Sequence, residues 1–205
     1  MNAQELREWL LTGTGKQMET DNFLGQFMVG GVPGNGTAAN SSTGQFFPCL
    51  VRRTVKPNGF GYFLKITGCL QGGADALFVR DHPNQSLHAD ASLFPIVISG
   101  RFSGCTFARC VGANGHVYIA HIFVDANLAG NNPAAQARAF ETAVGAAPNS
   151  AVGFRTVGQV TAPAMRGYVF GTFDGANWQW HWLTADANGT VVSCRALGGG
   201  DWVAL

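Results

Sequence analysis

The sequence predicts an α+β fold with a mixed or antiparallel β-sandwich-like core flanked by a few helices. First, its 205 residues include 28 glycines and 15 phenylalanines, a composition typical of tight turns between apolar, aromatic strands. Second, short apolar segments that end at Gly, Pro or Asn recur along most of the chain. The length suits one domain, which we predict to span residues 1–205.

Two segments carry helix signals. Residues Asn2–Leu11 are predicted to form an amphipathic helix, with Asn2 as the cap and Glu5 three residues further on. A second helix is predicted to follow the cap Asn132, with proline at its favoured first position, and to run to about Val144 before Gly145 ends it.

The remaining apolar segments are predicted to be strands. A strand near Phe23–Val29 precedes a Gly-, Asn- and Ser-rich segment, Gly25–Gly44, which indicates a long loop. Further strands are predicted at Gln45–Thr54, Gly59–Leu70, Ala76–Arg80, Pro95–Ser99, Cys105–Val111, His116–Val124, Val152–Val160, Arg166–Phe173, Asn177–Thr184 and Thr190–Ala196.

Charge and cysteine content exclude several classes of function. Charged residues are only 12 % of the chain and the formal net charge is +1, so we expect no nucleic-acid partner. No apolar run reaches the roughly 18 residues of a membrane span, and the N-terminus lacks signal-peptide features. The five cysteines are odd in number and lack metal-site spacing, so we expect reduced thiols, no metal and no cofactor.

Three tryptophans alternate along one predicted strand. Trp178, Trp180 and Trp182 would project from one face, with His181 on the other face as a hydrogen-bonded structural histidine. Such a row can stack sugars or bases, but it more often packs under a second layer. We therefore predict that the row belongs to the core.

Cys105 has the surroundings that a nucleophile needs. It follows Ser103-Gly104, where glycine permits a sharp turn and leaves the amides of Gly104 and Cys105 unshielded as an oxyanion site. A nucleophilic thiol also needs a base within reach. The alternative without catalysis is that Cys105 is a small buried apolar residue and that the nearby His121 has a structural role.

The length of the hairpin loop decides whether His121 can be that base. With a two-residue Asn114-Gly115 turn, His121 would face away from Cys105. A three-residue loop, Ala113-Asn114-Gly115, would pair Phe107 with His121 and make Cys105 its diagonal neighbour on the same face, at roughly 7–8 Å between α-carbons. The catalytic interpretation therefore requires the three-residue loop. In either register, His116 lies at the turn and is too far from Cys105 to act as its base.

With Ser103-Gly104-Cys105 followed by His121 in Tyr118-Ile-Ala-His-Ile-Phe123, the chain resembles the glutamine deamidase toxins of the cytotoxic necrotizing factor-like and Burkholderia lethal factor-like family. The resemblance covers about Ile96 to Asn127, and Phe102 stands where the family usually has leucine. It implies a Cys–His dyad that converts a glutamine side chain of a host protein to glutamate through a thioester. Cys105 would be the nucleophile, His121 the base, and the backbone carbonyl of Ser99 would orient the imidazole.

The resemblance also implies a partner and a place of action. The partner would be a host protein, with a Rho-family GTPase and a translation-initiation RNA helicase as family precedents. The protein would be a monomeric virulence factor, secreted or injected without a cleaved signal peptide and active in the host cytoplasm. Two alternatives stay open: a thiol peptidase or transglutaminase that uses the same dyad, and a non-enzymatic β-rich module that binds ligands on the tryptophan row.

Overall fold

A computed structural model describes residues 1–20, 29, 42–59, 61–82, 86–123 and 132–205. The first half contains α1 (Ala3–Leu11), β1 (Gln17–Thr20), β2 (Ser42–Gly44), β3 (Phe47–Val55), β4 (Tyr62–Gly68), β5 (Ala76–Val79), β6 (Ser86–Asp90) and β7 (Ile96–Phe102). The second half contains β8 (Thr106–Val111), β9 (Val117–Ile122), α2 (Pro133–Val144), β10 (Val152–Arg155), β11 (Arg166–Phe173), β12 (Trp178–Ala185), β13 (Val191–Ala196) and β14 (Val203–Ala204).

Eight strands form the larger sheet, in the order β1-β4-β3-β5-β7-β11-β12-β13. The two edge strands of this sheet lie side by side. The amide of Met18 in β1 donates to Gly189 O, and the amide of Val191 in β13 donates to Lys16 O, each at 2.8 Å. The sheet is therefore close to a barrel, which leaves few strand edges exposed. Helix α1 packs Leu6 and Leu10 into the apolar cluster inside it.

The smaller sheet has the order β14-β10-β8-β9-β6-β2. One of its faces packs against the larger sheet, since Phe107 of β8 and Ile119 of β9 share an apolar cluster with Val97 of β7 and Trp182 of β12. The opposite face packs against α2 through Phe140. The fold is thus β-rich α+β, as predicted, and each strand of the β8–β9 hairpin is buried on both faces.

Both predicted helices are confirmed, together with their caps. In α1, the Asn2 side chain accepts from the Glu5 amide while the Glu5 carboxylate accepts from the Asn2 amide, a reciprocal capping box. In α2, the Asn132 side chain accepts from the Ala135 amide. Gly145 ends that helix at φ 64°, a left-handed conformation that glycine adopts without steric cost.

Three strand predictions need correction. The predicted loop Gly25–Gly44 contains β2 at its end, and Ser42–Gly44 pairs in parallel with β6. Strands β1 and β6 were not predicted, because neither segment has an apolar run. The strand predicted at Val152–Val160 ends at Arg155. The strand predicted near Phe23–Val29 lies outside the described residues except for Val29, which bridges to Phe46. Within the part of the chain that the structure describes, no helix is long and apolar enough to cross a membrane.

Candidate active site

The β8–β9 hairpin has the register that the catalytic interpretation requires. Phe107 pairs with His121, and Val111 pairs with Val117. The amide of Gly112 donates to His116 O at 2.9 Å, so the loop consists of the three residues Ala113-Asn114-Gly115. Gly115 has φ 79°, the left-handed conformation expected at the last position of such a loop. Of the two loops that the sequence left open, the structure has the one with three residues.

Cys105 lies directly before β8, at the partly exposed start of the hairpin. Its carbonyl accepts two hydrogen bonds from Thr156, one from the hydroxyl and one from the amide at 3.3 Å, so the pairing of β8 with β10 extends to Cys105. The Cys105 side chain packs against the same apolar cluster as Phe107. Cys110 instead belongs to the cluster under α2, on the opposite face of the sheet.

Gly104 provides the turn that leads into Cys105. Its φ of 150° is a backbone conformation that residues with side chains rarely adopt, and a Cβ placed on it would meet no atom within 4 Å. The Gly104 amide donates no hydrogen bond to any described residue. The backbone beside the thiol is therefore open, which is what an oxyanion donor needs.

His121 is completely buried on the face of β9 that meets the larger sheet. Its ring stacks on the phenyl ring of Phe102, with the two centroids 4.0 Å apart. Burial, together with the positive charge of Arg80, lowers the pKa of His121 to about 3. The imidazole is therefore neutral at physiological pH and holds one proton and one lone pair on its two nitrogens.

Ser99 determines which nitrogen of His121 carries the proton. The Ser99 hydroxyl donates to Val79 O at 2.8 Å and lies 3.4 Å from Nδ1 of His121. Because a hydroxyl has only one proton to donate, Nδ1 must be the donor in the second contact. The lone pair then resides on Nε2, which is buried and has no hydrogen-bond partner among the described residues. The Cys105 thiol therefore makes no hydrogen bond to Nε2 in this structure, and a proton transfer between them would require the two groups to approach each other.

This contact corrects one expectation about the site. The family resemblance assigns the orienting role to the backbone carbonyl of Ser99, whereas the hydrogen bond recorded here is made by its side chain. Ser99 lies in β7, between β5 and β11 of the larger sheet. The imidazole of one sheet is thus held by a hydroxyl of the other.

A β-bulge brings Phe102 to the same imidazole. In a regular strand, residues 99 and 102 would face opposite sides, because side chains alternate. Here Gly167 pairs with Phe102 and Tyr168 pairs with Gly100, which leaves Arg101 as an extra residue on β7. The bulge moves Phe102 onto the face of Ser99, and bulges of this kind re-aim side chains next to functional sites. The sequence carries no clear signal of it.

The tryptophan row belongs to the core, as predicted. Trp180 and Trp182 are 5 % and 2 % exposed, and half-buried Trp178 packs against the same cluster as both. An exposed aromatic platform along this strand, which the binding-module alternative requires, is therefore absent. His181 is buried on the other face, but its Nδ1 has no partner among the described residues, contrary to the expected hydrogen bond.

The remaining cysteines and histidines form no second site with these residues. None of the five cysteines is in a disulfide, and burial raises the pKa of the Cys49, Cys110 and Cys194 thiols. The described residues contain no cluster of His, Cys, Asp or Glu suited to a metal ion. His116 pairs with Asp90 at the loop end of the hairpin, away from Cys105.

Comparison with known proteins gives no relative from which a role could be transferred. No family model, curated protein or solved structure matches this chain. The candidate site is therefore judged on its own geometry.

Proposed function

We propose that this protein is a cysteine-dependent glutamine deamidase that converts a glutamine side chain of a host protein to glutamate. The observation that carries the proposal is the hairpin register, which supports a shared face for Cys105 and His121. The resemblance around Ser103-Gly104-Cys105, and the packing of one face of the smaller sheet against the larger one, agree with it.

In the proposed resting state, the imidazole of the dyad is neutral. The low pKa of His121 keeps its Nε2 lone pair available at neutral pH, while the Nδ1 proton is directed to Ser99. The imidazole becomes charged only during the reaction. The imidazolium forms next to a developing anion, which offsets part of the cost of charging a buried group.

The reaction would proceed in two steps through a thioester. Nε2 of His121 takes the Cys105 proton while the sulfur attacks the carboxamide carbon, and the amide of Gly104 donates to the oxyanion. The C–N bond then breaks as the imidazolium protonates the leaving nitrogen, which releases ammonia. Water, deprotonated by the same imidazole, hydrolyses the thioester to glutamate and restores the thiol. No cofactor takes part.

The test exposes host-cell lysate to wild type, Cys105→Ser and His121→Gln, and searches for glutamine-to-glutamate conversion by mass spectrometry. We expect conversion by the wild type and a loss of at least about a hundredfold in each variant, the scale expected for removing a nucleophile or its base. Cys69→Ser is the matched control, because Cys69 lies outside the proposed site and should be replaceable.

Two results would overturn the proposal. The first is undiminished conversion by a folded Cys105→Ser variant. The second is a different product, since one acyl-enzyme can be resolved by water or by an amine: cleaved peptide bonds would indicate a thiol peptidase, and amine incorporation would indicate a transglutaminase. Thermal unfolding of each variant shows whether a loss of conversion reflects chemistry or misfolding. The proposal includes secretion or injection of this protein and its action in the host cytoplasm.

A further inference from the structure

Helix α1 packs near one end of the barrel-like sheet, and a cleft lies at the other. Arg7 of α1 lies 3.4 Å from Thr172, near the C-terminal end of β11. At the other end of β11, Arg166 lines a cleft of about 720 Å³. The floor of this cleft is apolar and consists of the buried side chains Met18, Phe63 and Tyr168.

The cleft rim carries two arginines and two acidic side chains, and the arginines are the groups available to a ligand. Arg101 and Arg166 are exposed at its rim, and neither has a carboxylate partner among the described residues. Arg101 donates to the Thr20 hydroxyl at 3.2 Å, and Arg166 donates to the backbone carbonyls of Pro163 and Met165. The two acidic residues of the rim are engaged elsewhere: Glu19 pairs with Lys65 at 3.5 Å, and Asp186 accepts the amides of its own turn.

The cleft lies close to the candidate active site. Arg101 precedes Cys105 by four residues, so their α-carbons are at most about 14 Å apart. Phe102 between them is buried, whereas Arg101 and Ser103 are exposed and Gly104 and Cys105 are partly exposed. A protein that presents a glutamine to Cys105 would therefore extend toward the Arg101 side of the cleft.

We propose that the cleft is a docking site for the protein substrate and takes a segment in which an apolar residue adjoins a carboxylate. The identity of this ligand rests on the proposed function. The apolar side chain would lie over Phe63 and Tyr168, and the carboxylate would pair with Arg101 and Arg166, a planar match that guanidinium groups favour. An extended peptide spans about 3.3 Å per residue, so a carboxylate bound at Arg101 would be within about four residues of a glutamine bound at Cys105.

The test measures binding and does not depend on catalysis. Fluorescein-labelled peptides Gln-Gly-Gly-Leu-Glu and Gln-Gly-Gly-Leu-Lys are titrated by anisotropy against the Cys105→Ala protein. We expect the Glu peptide to bind about tenfold more tightly than the Lys peptide, because like charges oppose binding. Arg101→Glu and Arg166→Glu should each abolish or reverse this preference. Arg53→Glu, an exposed arginine outside the cleft, should preserve it.

The outcomes separate docking from chemistry. Equal affinity for the two peptides, no saturable binding up to about 1 mM, or an unchanged preference in the combined Arg101→Glu, Arg166→Glu variant would overturn the docking site. If the preference holds while wild-type protein converts no glutamine in lysate, the docking site stands and the proposed deamidase function fails.

Discussion

The imidazole of His121 and the phenyl ring of Phe102 lie nearly parallel, with an interplanar angle of 14° and their centroids 4.0 Å apart. The two residues belong to different sheets, so this contact links the hairpin to the larger sheet at the candidate site. Trp182 contacts the same phenyl ring, with centroids 6.2 Å apart. The orientation of the proposed base therefore depends on core packing as well as on Ser99.

Replacements of Phe102 should distinguish the apolar volume of the ring from its flat shape. Phe102→Ala removes a fully buried ring and should cost about 3–5 kcal/mol. Phe102→Leu keeps most of the apolar volume and should cost less than about 1.5 kcal/mol. Because leucine is usual at this position in the family that the chain resembles, we expect Phe102→Leu to fold and to keep its kcat/KM within about threefold of the wild type, measured by ammonia release. A larger loss would show that the stacking contact itself, and not only the apolar volume, orients His121.

Ser99→Ala should change the protonation pattern of His121. Without the hydroxyl, Nδ1 loses its acceptor, and the preference for the Nδ1–H tautomer should decrease. Nitrogen-15 NMR of the ring reports the tautomer directly. We expect a mainly Nδ1–H form in the wild type, a mixture in Ser99→Ala, and recovery in Ser99→Thr, which retains a hydroxyl. Activity should fall and recover in parallel; an unchanged spectrum in Ser99→Ala would contradict the assignment.

Acid should destabilise the protein because buried histidines stay neutral in the fold. Burial lowers the pKa of His121 to about 3 and that of His88 to about 4, below their ordinary value near 6.5. Below pH 6.5 the unfolded chain therefore binds protons that the folded protein does not, so stability is full above pH 6.5 and falls as the pH decreases toward 4.

Each buried histidine adds up to about 1.4 kcal/mol per pH unit to the dependence of the free energy of unfolding on pH. Denaturant unfolding from pH 7.5 to 4.5 would measure the combined slope. His121→Gln should reduce it by the share of one histidine. A flat profile over this range would contradict the burial of both imidazoles.

Gly167→Ala should be strongly destabilising. A Cβ at this position would lie 1.8 Å from the indole of Trp182, so the ring would have to move. Overpacking of this kind typically costs 1–3 kcal/mol or more, and here it would also disturb the contact between Trp182 and Phe102. Gly72→Ala is the matched control, because a Cβ there meets nothing within 4 Å. Thermal unfolding of both variants gives the comparison, and equal melting temperatures would contradict the packing described for Trp182.

Local signals in the sequence determined the helices and the hairpin. The caps Asn2 and Asn132 act on amides within a few residues of themselves, so their geometry follows from neighbouring sequence alone. The hairpin loop is also local, but a left-handed glycine at its last position suits a two-residue and a three-residue loop alike, so the pairing of the strands decided between them. Given that loop, strand alternation alone predicts that Phe107 pairs with His121.

Only the tertiary structure decided what surrounds the imidazole. The contact between Ser99 and His121 joins two sheets, and no spacing along the chain predicts which hydroxyl will meet which ring. Phe102 reaches His121 because a bulge shifts the alternation of β7 by one residue, and that bulge depends on pairing with β11, more than sixty residues later in the chain. Local interactions are encoded by neighbouring residues, whereas these contacts depend on how distant strands are brought together.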